Sequence, residues 1–485
     1  MDESTQQLQR GLKWFGAASI VIRIVDVASV FVVWKFLSAD DIGIAALCSS
    51  VIAVADAFTG LGVGYAIVQS PELSQRKFAT AYWVAGAAGV ALALVITASA
   101  PALAAFYGKP SMVALMAVWT LKLVFSGFLV GPMERLQRDL RFPTVSAVSL
   151  GGAIASTTAR ITTAMLGGGA WAFCLGDVAR YGYTCLHSTA ASRMGSTRSF
   201  SRDELPGLLR FGTPLMFSQG IFELYRQADN HVVAALFGTT TAGLYRVAKD
   251  LATSPLQAIM LVANRVAFPV FSRHAHSPKI LADAFYTMSR YLSTLIGPVT
   301  VFLFIAAEDV IAVIAKPEWS AAAPLLRILC VAYFLRVNAQ LFAELFRAAG
   351  KPRWLLFDSV LSVIMLALSY TVAALWFRQS VGVASICYAT AISFPLVLVA
   401  LIAVGRTRFG IAASDWVRSL LASMPVTLLA GALVWLSMRY GAPLVARGLG
   451  LPSSSALRVS LALLAALAAY AVNFRFTRRL RSSVR

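Results

Sequence analysis

The chain has 485 residues, of which 58% are hydrophobic and 13% are charged, and its mean hydropathy is +0.73. Soluble globular domains carry about a quarter charged residues, so this composition excludes a soluble domain and predicts a polytopic membrane protein. The formal net charge of +20 would fit nucleic-acid binding, but the basic residues follow the connections between apolar spans instead. No nucleic-acid partner is therefore expected.

Fourteen apolar spans follow one another, each long enough for a membrane-crossing helix of about 20 residues. They are 13–37, 42–69, 79–106, 111–132, 143–166, 169–191, 209–236, 239–272, 284–306, 319–346, 354–377, 380–404, 417–438 and 455–474. The polar start MDESTQQLQRGLK lacks the basic-then-apolar pattern of a cleaved signal peptide, so the first span is expected to remain in the mature protein. Residues 307–318 are too short to span, and 133–142 predicts a short interfacial helix.

Lysine and arginine in the connections predict orientation, because cytoplasmic loops carry an excess of them. An even number of spans places both termini on one side, and that side receives 24 of the 42 Lys and Arg residues. The opposite side receives 6. We therefore predict that both termini are cytoplasmic and that most of the net charge is an orientation signal.

Charged residues also lie inside the spans, most densely between Leu209 and Arg273. A charge at the centre of a spanning helix costs about 2.5–3.5 kcal/mol on insertion scales, so these side chains must pair or face water. The spans hold 12 basic and 8 acidic residues. The positive excess predicts a water-filled cavity that binds an anion.

The five cysteines all fall inside apolar spans and form no CxxC pair. Cysteines in such surroundings are typically small buried hydrophobes. We expect neither a disulfide framework nor a metal site, and no cofactor.

Two stretches about 200 residues apart resemble each other and predict an internal repeat. Residues 37–44 (LSADDIGI) align with 237–244 (FGTTTAGL), and Arg23 and Asp26 align with Arg226 and Asp229. Parallel repeats around a midplane site are a transporter architecture. We predict six-helix lobes at 1–191 and 209–405, a cytoplasmic linker at 192–208, and two extra helices with a basic tail at 406–485.

Short segments spread over the chain up to about residue 405 carry a family resemblance. They are GLG at 60–62 with AIVQ at 66–69, LQRDLRF at 136–142, GGGAWA at 167–172, LRFG at 209–212, AGLYRVA at 242–248 and WSAAAPLLRIL at 319–329. By their order and spacing, the chain resembles the polysaccharide transport family of the multidrug/oligosaccharidyl-lipid/polysaccharide flippase superfamily. More narrowly, it resembles Wzx-type flippases of lipid-linked oligosaccharides for exopolysaccharide.

The resemblance implies an all-α polytopic fold of about 14 transmembrane helices, with two pseudo-symmetric six-helix lobes around a central cationic cavity. It implies movement of an undecaprenyl-pyrophosphate-linked oligosaccharide from the cytoplasmic to the periplasmic leaflet of the bacterial inner membrane, for exopolysaccharide or lipopolysaccharide biosynthesis. Membrane lipid, the polysaccharide polymerase and the chain-length regulator would be its partners. Such a transporter performs no bond chemistry and is not an enzyme.

The charged residues of spans 1, 2, 7 and 8 are the candidates for the substrate site. Desolvating a pyrophosphate in hydrocarbon costs tens of kcal/mol, and guanidinium groups replace its lost hydration with charge-assisted hydrogen bonds. The pyrophosphate candidates are Arg23, Arg226 and Arg246, followed by Lys249 and Arg265. The alternative is that each simply pairs with a neighbouring acid.

The sequence contains no ATP-binding motif, so the energy for transport must come from the membrane. A membrane potential contributes about 2.3 kcal/mol per charge per 100 mV, which favours export of an anion. Exchange for a proton or a sodium ion is the alternative. The carboxylates that could couple such an ion are Asp26, Asp56, Glu223, Asp229 and Asp250.

Aromatic side chains are candidates for stacking on sugar rings. They are Tyr65, Tyr82, Trp83, Trp119, Trp171, Tyr225 and Tyr245. Anchoring at the membrane interface is the commoner role of Trp and Tyr in membrane proteins.

Other functions fit parts of the pattern. A lipid II flippase is close in mechanism and stays open as an alternative. A membrane polysaccharide polymerase is less favoured, since it would need a large periplasmic loop or a cytoplasmic domain with a DxD-type metal site. A cationic drug antiporter would need an acid-rich cavity, and the excess of basic residues in the spans argues against one. A structural scaffold would not need charged residues inside the spans.

Overall fold

The computed structural model describes residues 3–64, 67, 74–192, 200–449 and 454–482. Within these ranges the secondary structure is helical and contains no strand. The chain divides into two compact units, Met1–Gly243 and Leu244–Arg485. Of the residues named above, Tyr65, Ala66, Val68 and Gln69 lie outside the described ranges, as do residues 193–199 of the predicted linker and 483–485 of the predicted basic tail.

The first unit is built from long helices and three short ones. They are α1 (Glu3–Trp34), α2 (Ala39–Thr59), α3 (Gln75–Tyr107), α4 (Ser111–Trp119), α5 (Leu121–Leu129), α6 (Pro132–Arg138), α7 (Phe142–Met165), α8 (Trp171–Ala191) and α9 (Leu205–Phe237). Helix α10 (Thr239–His274) begins here and continues into the second unit. Helix α7 packs against α1 and α8, α3 against α5, and α2 against α9.

Local signals in the sequence explain where helices of the first unit begin and end. Before α2, the Ser38 hydroxyl accepts a hydrogen bond from the N–H of Asp41 at 3.2 Å, and the Ser38 N–H donates to the Asp41 carboxylate at 3.1 Å. This reciprocal pair is a capping box. Helix α3 ends at Gly108, whose φ of +63° is the left-handed conformation that glycine adopts readily.

The second unit is organised around an aromatic core. Its helices are α11 (Pro278–Ile305), α12 (Ala307–Ile314), α13 (Ala322–Ala348), α14 (Pro352–Val372), α15 (Arg378–Val381), α16 (Ala384–Phe409), α17 (Ala413–Leu421), α18 (Met424–Leu436), α19 (Ala442–Leu449) and α20 (Ser455–Ser482). Phe271, Phe285, Phe342, Phe346 and Trp416 are buried in one cluster. Helix α13 packs on α11 and α16, and α18 packs on α11 and α20.

Nine helical segments in the described part of the chain are long and apolar enough to cross a membrane. They are Ala39–Thr59, Gln75–Tyr107, Ser111–Leu129, Thr239–His274, Pro278–Ile305, Pro317–Ala348, Arg353–Val381, Ala384–Phe409 and Ala413–Ala446. The chain is therefore a multi-pass membrane protein. Helices occupy all fourteen predicted ranges, but fourteen as the number of spans stays a prediction. Short helix α6 overlaps 133–142, and short helix α12 lies within 307–318.

A polar cavity and paired charges

Helix α2 ends in left-handed backbone, and this break opens one wall of a cavity. Leu61 has φ +44° and Gly62 has φ +68°, a region that glycine enters at little cost. Gly62 packs directly on Gly212 of α9, since a Cβ on either residue would lie less than 3.0 Å from the backbone of the other segment. Glycine at both positions therefore allows the end of α2 to meet α9.

Helix α6 brings a carboxyl group to the same cavity. Gly131, with φ +105°, starts this helix, and its N–H donates to Oε2 of Glu134 at 2.8 Å. The other oxygen, Oε1, lies beside Gly64, where a Cβ would be 3.0 Å away. Burial raises the pKa of the Glu134 carboxyl to about 7, so this group is partly protonated near neutral pH.

The cavity has a volume of about 610 Å³, within the range of about 300–1,000 Å³ typical of ligand sites. Its walls come from α2, residues 60–64, α5, α6 and α9. The polar lining residues are Asp56, Thr59, Ser126, Glu134, Gln137, Gln219 and Glu223. The described lining contains no Lys or Arg. The charged residues of this lining are acidic, whereas the central cavity expected from the sequence is cationic. That central cationic cavity stays a prediction.

Basic residues inside the first unit are paired with acids. Lys122 Nζ lies 3.3 Å from Asp56 Oδ2, and both side chains are largely buried. Arg160 lies 3.6 Å from Asp177, and Arg180 lies 2.6 Å from Asp26. Buried charges are tolerated when they are paired, so these three cations do not contribute to an unbalanced positive field.

Further contacts join these pairs into a network across six helices, α1, α2, α4, α5, α7 and α8. The Trp119 indole donates to Asp177 at 3.1 Å, and Arg160 donates to the Ser29 hydroxyl at 3.2 Å. Lys122 also lies over the Tyr181 ring, 4.9 Å from its centre. The network was missed from the sequence because its partners are distant in the chain, for example 154 residues for Asp26 and Arg180.

The predicted site residues of the first unit lie on α1, α2 and α9. Arg226 donates from Nε and Nη2 to one oxygen of Glu223, at 3.0 and 2.8 Å, which is the local pairing considered as the alternative. Its side chain is 43% exposed. Arg23 is half-buried, and Asp229 is buried with its Oδ1 accepting from the Asn230 N–H. Of the carboxylates, Asp56 and Glu223 share the cavity lining.

The predicted site residues of the second unit all lie on α10. Arg246 Nε donates to Asp250 at 2.8 Å, again one helical turn away. Lys249 is half-buried and Arg265 is exposed. That these residues share one cavity with those of the first unit stays a prediction.

The two turns that were aligned as a repeat contact each other. Asp40 accepts hydrogen bonds from the Thr239 hydroxyl and, at 2.7 Å, from Lys109. A Cβ on Gly43 would meet the Thr239 backbone within 3.0 Å, and a Cβ on Gly243 would meet the Ala39 backbone equally closely. Such reciprocal contacts are typical of segments related by a two-fold axis; the repeat itself stays a prediction.

A half-buried histidine that no sequence motif marks joins three helices near this turn. Nε2 of His231 on α9 lies 2.7 Å from the Ser50 hydroxyl on α2, and Nδ1 lies 2.9 Å from the Tyr107 hydroxyl on α3. Both ring nitrogens are therefore satisfied by hydroxyl groups. The residue was missed because a lone histidine in an apolar span carries no pattern.

Three of the aromatic stacking candidates are core residues. Trp119, Tyr225 and Tyr245 are 1%, 8% and 0% exposed, so their rings are not available to a sugar. Trp83 is 44% exposed and packs edge-on to Tyr82 and Phe128. Among the described residues, the five cysteines are free, and no group of three His, Cys, Asp or Glu is placed to hold a metal ion.

These features define a class of protein, a helical multi-pass membrane protein with a polar cavity among its helices. A solved structure of lipid II flippase MurJ in an inward closed conformation has the same fold, with a TM-score of 0.74 over 96% of this chain and 99% of that chain, at 11% identity. An inward-facing multidrug resistance MATE family transporter of the MOP superfamily matches with a TM-score of 0.62, over 80% of this chain and 94% of that chain, at 15% identity.

Sequence comparison is more specific than the fold. Residues 32–324 match the family described as "Polysaccharide biosynthesis protein", and the chain belongs to this family. The teichuronic acid biosynthesis protein TuaB of Bacillus subtilis (strain 168) is 22% identical over 70% of each chain. The lipopolysaccharide biosynthesis protein WzxC of Escherichia coli (strain K12) is 23% identical over 67% of each. The family expected from the resemblance is confirmed, and with it the class of transporter rather than enzyme.

Proposed function

We propose that the protein is a flippase for undecaprenyl-pyrophosphate-linked oligosaccharide repeat units, which it moves from the cytoplasmic to the periplasmic leaflet. Family membership over residues 32–324 supports this proposal. A further relative is the succinoglycan biosynthesis transport protein ExoT of Rhizobium meliloti (strain 1021), 24% identical over 65% of this chain and 64% of its own length. The product would serve exopolysaccharide or lipopolysaccharide biosynthesis.

The observation that carries the proposal is the polar cavity of about 610 Å³ among the helices of a multi-pass membrane protein. Polar side chains that face a cavity among membrane-spanning helices require a polar ligand or water, because hydrocarbon cannot satisfy them. A lipid-linked sugar supplies such a ligand while its polyprenyl tail stays in the lipid. A purely structural protein would have no use for this lining.

The pyrophosphate contacts remain those predicted from the sequence. They are Arg23, Arg226, Arg246, Lys249 and Arg265. A guanidinium has five N–H donors, more than one carboxylate accepts, so the pairs of Arg226 with Glu223 and of Arg246 with Asp250 are compatible with a second anionic partner. Binding of pyrophosphate would then compete with, or add to, the local ion pair.

The membrane potential is the simplest driving force, at about 2.3 kcal/mol per exported negative charge per 100 mV. Ion exchange would use one of the predicted carboxylates. They are Asp26, Asp56, Glu223, Asp229 and Asp250. Asp26 and Asp56 already have cationic partners on other helices, so protonation of either would disturb contacts between helices.

The proposed location is the bacterial inner membrane, with both termini cytoplasmic. The distribution of Lys and Arg in the connections supports this orientation. The proposed organisation is two six-helix lobes at 1–191 and 209–405, a linker at 192–208 and an appendage at 406–485. The polysaccharide polymerase and the chain-length regulator are proposed partners.

The experiment that tests the function is depletion of the protein in cells, followed by leaflet-resolved measurement of lipid-linked oligosaccharide. A flippase predicts accumulation on the cytoplasmic face, rescue by the wild-type chain and poor rescue by Arg226→Ala. Arg418→Ala is the matched control, because that arginine is exposed and pairs only one turn away with Asp415. Accumulation on the periplasmic face would overturn the proposal and favour a polymerase.

A second candidate is a lipid II flippase, which the fold match to MurJ over 96% of the chain favours. The same depletion separates the two functions. Accumulated lipid II and cell lysis would support the second candidate, whereas loss of polysaccharide with intact peptidoglycan synthesis would support the first.

A further inference from the structure

The cavity of the first unit has the chemistry of a site for sugar hydroxyl groups. Its polar lining consists of three carboxyls, two amides and two hydroxyls from four helices: α2 with Asp56 and Thr59, α5 with Ser126, α6 with Glu134 and Gln137, and α9 with Gln219 and Glu223. A sugar hydroxyl both donates and accepts. Carboxylates accept from such groups, and amides donate and accept at once, so this mixture matches a polyol better than it matches an anion.

The charges around the cavity are arranged so that its lining has little net charge. Asp56 lies 3.3 Å from Lys122 and Glu223 lies 2.8 Å from Arg226, so both carboxylates are compensated by a cation that does not itself line the cavity. Glu134 accepts from a backbone N–H and its pKa is about 7. A neutral polar ligand is accepted by such a lining, whereas an added anion meets carboxylate oxygens.

The wall formed by residues 60–64 presents backbone to the cavity. Gly60, Gly62 and Gly64 all line it and have no side chain. Helices α6 and α9 contribute Gln137 and Gln219 to the same lining, and both residues are exposed. A sugar ring in the cavity would therefore lie among amides and carboxyls that can bond to its hydroxyls.

We propose that this cavity is the glycan subsite, that it takes a neutral hexose or N-acetylhexosamine residue of the lipid-linked oligosaccharide, and that it rejects a uronic acid. The inference rests on the proposed function and deepens it by naming the substrate class. The pyrophosphate binds elsewhere, at basic residues that do not line this cavity.

The test is binding of three soluble probes to the purified full chain at pH 7: farnesyl pyrophosphate, its glucosyl derivative and its glucuronyl derivative. The glucosyl probe is expected to bind about tenfold or more tightly than the glucuronyl probe, because the carboxylate of the glucuronyl group would be placed against carboxylate oxygens of the lining. It should also bind more tightly than the probe without a sugar. Binding of no probe would overturn the proposed flippase function and this inference with it.

Variants then assign the effect to the cavity. Gln219→Ala should raise the Kd of the glucosyl probe by about 3- to 10-fold, as expected for loss of a hydrogen bond, and leave farnesyl pyrophosphate unchanged. Glu134→Gln should reduce the difference in Kd between the glucuronyl probe and the glucosyl probe. Gln379→Ala, an exposed amide on α15, is the matched control and should change none of the three. Equal weakening of all probes by Gln219→Ala, or a glucuronyl probe that binds best, would overturn the subsite while leaving the flippase proposal intact.

Discussion

Lys122 and Asp56 form a pair whose side chains are only 11% and 19% exposed. Removing one member of a buried pair leaves the other charge uncompensated in a poorly solvated place. Such losses cost about 3–5 kcal/mol, while removing both members is often nearly neutral. Breaking the pair therefore lowers the stability by more than the intact pair adds to it.

Lys122→Met is therefore expected to destabilise the protein by about 3–5 kcal/mol, measured as a fall in the thermal unfolding midpoint in detergent. The double variant with Asp56→Asn should recover most of the loss. Arg418→Met is the control, since its pair with Asp415 is 80% and 46% exposed and exposed pairs contribute less than about 1 kcal/mol. Equal effects of Lys122→Met and Arg418→Met would contradict the burial argument.

At the residue scale, the sequence identified charged residues within spans but not most of their partners. Local pairs such as Arg226 with Glu223 are visible in the sequence because three or four residues separate neighbours on a helix. Pairs such as Arg180 with Asp26 depend on which helices pack together, and no spacing rule reports that. Glu134 was assigned to an interfacial segment, and only the structure shows that it lines the cavity, beside Gly64.

At the scale of elements, the crossing of α2 with the start of α10 depends on two glycines. Gly43 and Gly243 each lie against backbone of the other segment, closer than a Cβ allows. Helices approach this closely in membranes where small residues line the contact. The spans themselves were predictable from hydropathy, whereas this contact was visible only as a short internal similarity.

Gly43→Ala is expected to destabilise the first unit by about 1–3 kcal/mol or more, because the added methyl group forces the two backbones apart. The measurement is the thermal unfolding midpoint. Gly207→Ala is the matched control: it lies within α9 with nothing within 4 Å of an added Cβ, and Ala is favoured over Gly in a helix. A Gly43→Ala variant as stable as Gly207→Ala would refute the close contact.

At the scale of the whole molecule, the uneven distribution of Lys and Arg is the property that the sequence expresses most directly. Hydropathy and charge in connections are sums over many residues, so they predict class and orientation without any tertiary contact. The charge of an individual cavity cannot be predicted from such sums, because it depends on a few side chains. The overall positive excess did not predict the carboxyl and amide lining of the cavity in the first unit.

The orientation predicts which exposed residues a reagent outside the cell can reach. Ser277 lies in the cytoplasmic connection after the eighth predicted span, Ser380 begins the twelfth predicted span at its non-cytoplasmic end, and both are exposed. In spheroplasts, Ser380→Cys should react with a membrane-impermeant maleimide, and Ser277→Cys should react only after lysis. The native cysteines replaced by alanine provide the background. Reversed labelling would place the termini outside the cytoplasm.

The close contact of Gly43 on α2 with Gly243 on α10 also limits which mutations the gene can accept. Every missense codon reachable from a glycine codon encodes a residue with a Cβ, and a Cβ at Gly43 or Gly243 meets backbone rather than a movable side chain. No single-base amino-acid replacement at either codon avoids that clash. In a saturation library selected for polysaccharide export, these two codons should therefore tolerate synonymous changes only, while the codon for Gly207 should accept alanine.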